Sequence, residues 1–125
     1  MGRLHLTTED VIAIHDELIR SFGGIRGMLN RGTVDYLTDR AERMTDAFDE
    51  AALLLSGIAQ GHPFLDGNKR TAFAVGDVVL RMNGLVALVM DQEAFGFMLE
   101  AAQGMHDRKA VAAWLRRKVK RSEER

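Results

Sequence analysis

The sequence predicts an all-α fold, a compact bundle of about six helices with one short extended segment near 85–90. Three observations carry this. A single proline stands in 125 residues, among many Ala, Leu, Met and Arg, so little interrupts helix formation. Apolar residues recur at helical rather than alternating spacing over most of the chain. The pattern breaks at Gly23-Gly24, Gly61 to Pro63 and Asn83-Gly84, residues that end helices and make turns.

Each element has its own signal. Thr7 with Asp10 resembles a capping box, and Leu6 and Val11 are spaced as its hydrophobic staple. Val11, Ile14, Leu18 and Phe22 then define the buried face of a first helix that Gly23-Gly24 stops. A second helix is expected over Thr33 to about Met44, with Val34 and Leu37 inward. The third, Ala47 to about Gln60, is apolar nearly all round (Phe48, Ala51, Leu54, Leu55, Ile58), the mark of a central helix. A fourth spans Asn68 to about Met82 and carries Asp77 and Arg81 at stabilising helix-pair spacing. Leu85 to Met90 is a strand or an extended connector. Asp91 is placed as the N-cap of a fifth helix ending near Gly104, and a sixth runs from Arg108 to about Lys120. Val111, Trp114, Leu115 and Val119 form its packing stripe, while Arg116, Arg117, Lys118, Lys120 and Arg121 read as a solvated basic end.

Length and composition narrow the function classes. Residues 1–125 are expected to form one domain. The chain has no cysteine, which excludes disulfides and thiolate metal sites. No apolar run approaches a membrane span and no signal pattern opens the chain, so a cytoplasmic protein without a membrane partner is expected. A net charge of −1 gives no general attraction to nucleic acid, and direct binding to it is not expected.

The chemistry concentrates in His62-Pro63-Phe64-Leu65-Asp66-Gly67-Asn68-Lys69-Arg70. Ala51 to Gly61 holds no charged side chain, and Thr71 to Gly84 holds only Asp77 and Arg81. Charge set between two apolar helices is costly unless it is paired or used. If Asn68-Lys69-Arg70 opens a helix, its free N–H groups and dipole attract an anion. Gly67 lets a phosphate approach the backbone, and Lys69 and Arg70 add full charges. Without an anion, two cations at a helix N-terminus oppose the dipole. Asp66 is a hard oxygen ligand suited to Mg²⁺ shared with phosphates, although a turn or N-cap role would also explain it. Asn68 either caps the helix or shapes the phosphate cradle. His62, in front of the cradle, can take a proton from an attacking hydroxyl. Pro63 and Phe64 are structural, one stiffening the loop and the other anchoring it. His5, His15 and His106 lack metal-ligand spacing and read as structural or exposed. Gly23-Gly24-Ile25-Arg26-Gly27 lacks the order of a phosphate-loop fingerprint and reads as a helix-ending loop.

The run resembles the Fic/Doc signature, His-x-Phe-x-(Asp/Glu)-Gly-Asn-x-Arg, at His62, Phe64, Asp66, Gly67, Asn68 and Arg70. The AMP-transferring Fic branch usually carries a second Arg where this chain has Phe73, and commonly Gly where it has Lys69. Lys69-Arg70-Thr71 without that second Arg is similar to the Doc (death-on-curing) branch. The opening from Leu6 to Asp16, the Phe22 to Met28 loop and Leu80-Arg81-Met82-Asn83-Gly84 share that resemblance. It implies a Fic/Doc-like helical fold and the toxin of a toxin–antitoxin pair. It further implies a kinase that moves the γ-phosphate of ATP to a Thr or Ser hydroxyl of elongation factor Tu or another translation protein. In that scheme His62, Asp66 and Arg70 are catalytic, Asp66 holds Mg²⁺, and Gly67, Asn68, Lys69 and Arg70 hold the phosphates. No (Ser/Thr)-x-x-x-Glu-(Gly/Asn) inhibitory run is present, so restraint is expected from a Phd-like antitoxin. AMP transfer at the same site is one alternative, and a non-catalytic module acting through its antitoxin complex is another.

Overall fold

The structure, a computed structural model, describes residues 4–121. Among them the element order is α1 (Thr8–Phe22), α2 (Arg31–Glu42), α3 (Ala47–Gly61), α4 (Asn68–Met82), β1 (Leu85–Ala87), α5 (Asp91–Ala102), α6 (Arg108–Lys118) and β2 (Val119–Arg121). No described helix is long and apolar enough to cross a membrane.

The fold is organised around α3. Ala51, Ala52, Leu54, Leu55, Ile58 and Ala59 are all buried, and α2, α4, α5 and α6 pack on different sides of it. Its small residues allow the close approach of four neighbours, which a uniformly bulky helix would not. Helix α4 contributes Ala72, Val75, Val79 and Leu80 to the same core. Helix α6 adds Val111, Ala112, Trp114 and Leu115, with the Trp114 indole stacked on Phe97 at a centroid distance of 3.9 Å.

Local chemistry sets most helix starts. Thr7 and Asp10 form the complete capping box before α1. Asn30 caps α2, Asp46 caps α3 and Asp107 caps α6 with their side chains. The Asn30 cap starts α2 at Arg31 rather than Thr33, and the helix ends at Glu42 rather than near Met44. Asp91 is the first residue of α5 rather than its cap, a position held by Met90; an acid in the first turn still favours the dipole.

Two expectations need correction. The buried face of α1 is Thr8, Val11, His15 and Ile19, while Ile14 and Leu18 are half-buried and Phe22 is 65% exposed. The burial stripe is therefore rotated about one position from the all-apolar one, and a histidine lies within it. The basic end is not an extension of α6 either. The chain leaves the helix after Lys118, and Val119–Arg121 pairs antiparallel with Leu85–Ala87, Val86 opposite Lys120. Arg116 pairs with Asp46 at 3.2 Å and Lys118 pairs with Glu93, so these two cations tie helix ends together, while Arg116, Arg117, Lys120 and Arg121 are exposed as a solvated end requires.

Candidate active site

The segment between α3 and α4 is tied down from several directions. His62 stands at the end of α3 with φ 47° and ψ 55°, the one non-glycine residue in the left-handed region among those described. Its N–H still donates to the Ile58 carbonyl at 3.2 Å, a helix-ending turn usually made by glycine. A side chain held there costs conformational energy, and such residues cluster at functional sites. The imidazole is exposed and makes no hydrogen bond or ion pair among the described residues. Both ring nitrogens are therefore accessible to an incoming group.

Pro63 and Phe64 are buried. The Pro63 carbonyl accepts from the amides of Leu29 and Asn30, at 2.7 and 3.0 Å, and the Leu65 amide donates to Gly27. The loop between α1 and α2 thus lies along the motif. Asn68 closes the turn from inside: its Oδ1 accepts from the Phe64 amide at 3.0 Å and its Nδ2 donates to the Phe64 carbonyl at 2.9 Å. That two-point fit needs one acceptor and one donor, which Asn supplies and Asp does not.

Asp66 uses both carboxylate oxygens. Oδ1 accepts from the Gly67 amide at 2.8 Å and Oδ2 from the Ile25 amide at 3.0 Å. A Cβ on Gly24 would sit 2.8 Å from Oδ2, so glycine is what lets that loop close over the carboxylate. Gly67, with φ 75°, is the N-cap of α4 and has no side chain to satisfy the first turn. Thr71 makes the first intrahelical bond, to the Gly67 carbonyl. The amides of Asn68, Lys69 and Arg70 precede it and have no intrahelical acceptor. Lys69 has no ion-pair partner among the described residues, and Arg70 is held only over the exposed Phe22 ring, 4.5 Å from its centroid.

These groups open onto a cleft of about 540 Å³. Asp66 to Arg70 form one wall, and Phe22, Phe73, Phe95 and Met98 supply apolar surface around it, with Asp91 at the start of α5. The volume suits a small organic ligand. His62 is not among the lining residues; it stands at the far end of the loop, beyond buried Phe64. No group of three or more His, Cys, Asp or Glu is placed to hold a metal by itself among the described residues. Each Asp66 oxygen retains a lone pair beyond its amide bond, and Mg²⁺ needs only one or two carboxylates when phosphates and waters complete its shell. Asp66 fits such a shared ion.

Three contributors were not singled out from sequence. Phe22, expected on the buried face of α1, is exposed and lies under Arg70. The glycine-rich loop ends α1 at Gly23 as expected, and beyond that it lies against the motif, the Ile25 amide donating to Asp66 and the Gly27 carbonyl accepting from Leu65. His15 stacks on Phe64 at 3.8 Å and donates from Nε2 to the Asp66 carbonyl at 2.8 Å. The available signal for His15 was its register with Val11 and Ile19, each four residues away on one helical face.

Comparison with known proteins agrees with this construction. The sequence profile of the Fic/DOC family matches residues 5–80, from before α1 to near the end of α4. The chain is 36% identical over 119 residues to "Protein kinase doc" of Escherichia phage P1, covering 90% of this chain and 94% of that protein. It is 34% identical over 121 residues to "Toxin Doc" of Mycolicibacterium smegmatis, covering 89% and 90%. With the signature residues gathered on one loop and helix start, and with relatives of this coverage, the chain belongs to the Fic/DOC family and stands with its Doc members.

Proposed function

We propose that this protein is the toxin of a toxin–antitoxin pair and acts as a phosphotransferase. It moves the γ-phosphate of ATP to a Thr or Ser hydroxyl of a translation protein, elongation factor Tu being the target the resemblance implies. The observation that carries the reading is the start of α4, where uncapped amides, Lys69 and Arg70 converge on a cleft with no anion among the described residues paired to either cation. Such a wall suits the phosphate chain of a nucleotide. The names of the two relatives, a kinase and a toxin, support the same direction.

In this mechanism the exposed His62 imidazole accepts the proton of the target hydroxyl as its oxygen attacks the γ-phosphorus. The bond from that phosphorus to the β,γ-bridging oxygen breaks, and ADP leaves with the electron pair. Charge on the transferring group is met by the Asn68 to Arg70 amides and the two cations, and positioning with charge neutralisation supplies most of the rate in such transfers. Asp66 would hold Mg²⁺ together with the phosphates, and the ion would add further neutralisation. Phe73, lining the cleft where the AMP-transferring branch usually has a second Arg, favours γ- over α-phosphate transfer. Restraint by a Phd-like antitoxin and a cytoplasmic location complete the proposal.

The deciding experiment uses purified protein, Mg²⁺ and elongation factor Tu, with ATP labelled at the α- or the γ-phosphate. Label from the γ position is expected, and His62→Ala should abolish it with an unchanged circular dichroism spectrum. Label only from the α position would replace kinase by AMP transfer. Transfer that survives His62→Ala would remove His62 from the chemistry. A protein that binds no Mg-ATP would be a binding module.

A further inference from the structure

The motif loop carries its chemistry on residues 62–70, yet the only buried histidine among the described residues comes from α1. We propose that His15 is a positioning residue for the candidate active site, fixing the peptide plane that joins Asp66 to Gly67. The inference rests on the reading that Asp66 and the start of α4 serve the phosphate site.

His15 is 1% exposed. Its ring lies flat on Phe64, at 3.8 Å and 6° between planes, which fixes the imidazole in the core side of the loop. A carbonyl oxygen only accepts, so Nε2 must carry the proton that it shares with the Asp66 carbonyl at 2.8 Å. That bond reaches a particular peptide unit. A trans peptide is planar, with C=O and N–H pointing in opposite directions. Holding the Asp66 carbonyl toward α1 therefore aims the Gly67 N–H away from it, and this N–H donates to Asp66 Oδ1 at 2.8 Å. The same plane sets the entry into the Gly67 left-handed cap and hence the direction of the free amides that follow.

The other side of the imidazole extends the arrangement. Nδ1 lies 3.6 Å from Asp16 Oδ1, and Asp16 Oδ2 lies 3.3 Å from the Arg26 guanidinium. Arg26 follows Ile25, whose amide holds Asp66 Oδ2 at 3.0 Å. Adjacent residues of α1 thus reach both segments that grip the Asp66 carboxylate. A histidine that merely filled space would need the stack on Phe64 and nothing more. The hydrogen bond to the main chain of the carboxylate-bearing residue is what a space-filling role leaves unexplained.

Two variants separate the roles. His15→Phe keeps an aromatic ring against Phe64 and loses the donor. His15→Gln keeps an N–H donor at nearly the Nε2 position and loses the ring. Amide hydrogen exchange at Ile25 and Gly67 reads the carboxylate clamp directly and needs no activity. Exchange at both should rise about tenfold in His15→Phe, with α3 amides unchanged, and return close to wild type in His15→Gln. In the transfer assay, kcat should fall about 10- to 100-fold in His15→Phe, with the KM for ATP moving less than about threefold, and recover in His15→Gln. The melting temperatures should rank the other way, His15→Phe above His15→Gln. Activity that follows melting temperature instead, or unchanged exchange at Ile25 and Gly67, would overturn the proposal. A wild-type protein without transfer activity, but with the exchange pattern above, would sink the kinase reading and leave His15 as the residue that orients Asp66.

Discussion

Helices α3 and α4 pack side by side through the core, yet they begin in opposite ways. At the start of α3, Asp46 accepts from the amides of Phe48 and Asp49 at 2.8 and 3.1 Å, and Asp49 and Glu50 add negative charge to the first turn. At the start of α4 there is no side-chain cap, no acid in the first turn, and two cations instead. One end obeys what helix stability asks for, and the other reverses it term by term. Both helices bury comparable apolar faces, so the reversal is not a weakness of the helix as a whole. It is confined to the turn that opens onto the cleft. The difference teaches that stabilising chemistry can be given up in one turn of an otherwise well-ordered fold, and this turn is where the proposed phosphate ligand would supply the missing charge.

The contrast can be broken by exchanging charges at each end. The largest effect is expected at α4: Arg70→Gln should lower phosphate transfer about 100-fold, since a charge-assisted contact to the transferring group is lost. Its folding free energy, measured by urea unfolding, should change by less than about 0.5 kcal/mol. At α3 the pattern inverts. Asp46→Ala should cost about 1 kcal/mol of stability through the lost cap, while transfer per folded molecule stays unchanged. Lys69→Glu sharpens the comparison with the smallest shift. It should raise stability by about 0.5 kcal/mol by complementing the dipole, while Mg-ATP affinity measured by calorimetry falls. A stability loss in that variant would show that the first turn of α4 is not under electrostatic strain.

Asp46 also gives the contrast a pH dependence. Burial on its own would raise its pKa, but the Asp49 and Phe48 amides and Arg116 outweigh burial and hold it below its ordinary 3.8. A carboxyl depressed on folding stabilises at pH above its unfolded value, and that contribution disappears as pH falls through the folded one. The stability advantage of wild type over Asp46→Asn, in which the Asn still caps, should therefore be constant at neutral pH, begin to fall near 3.8 and be gone only below the lowered folded value.

The two helices were also the most legible part of the chain. The extents expected from sequence, Ala47 to Gln60 and Asn68 to Met82, differ from those observed by one residue at most. Apolar runs bounded by Gly61, Pro63 and Asn83-Gly84 leave few alternatives. The cluster from His62 to Arg70 was equally visible, because charge between apolar helices stands out locally. What stayed hidden depends on partners distant in sequence. His15 reads as an ordinary helix residue until Asp66, 51 positions on, supplies its acceptor. The glycines of the α1–α2 loop read as a helix-ending loop until the Asp66 carboxylate is found packed against Gly24, 2.8 Å from where a Cβ would sit. Val119–Arg121 reads as a basic helix end until Leu85–Ala87 offers a strand to pair with. Composition describes what a segment prefers alone, and these three are decided by what they meet.

The left-handed backbone at His62 has a consequence for how such a protein can be changed. Any residue that relaxes there, glycine above all, should make the folded chain more durable and at the same time remove the exposed imidazole. Selection on thermostability alone would then drift toward inert variants at this position, and selection on activity would keep the strain. On the proposed role of His62, durability and reactivity are set against each other at one left-handed residue.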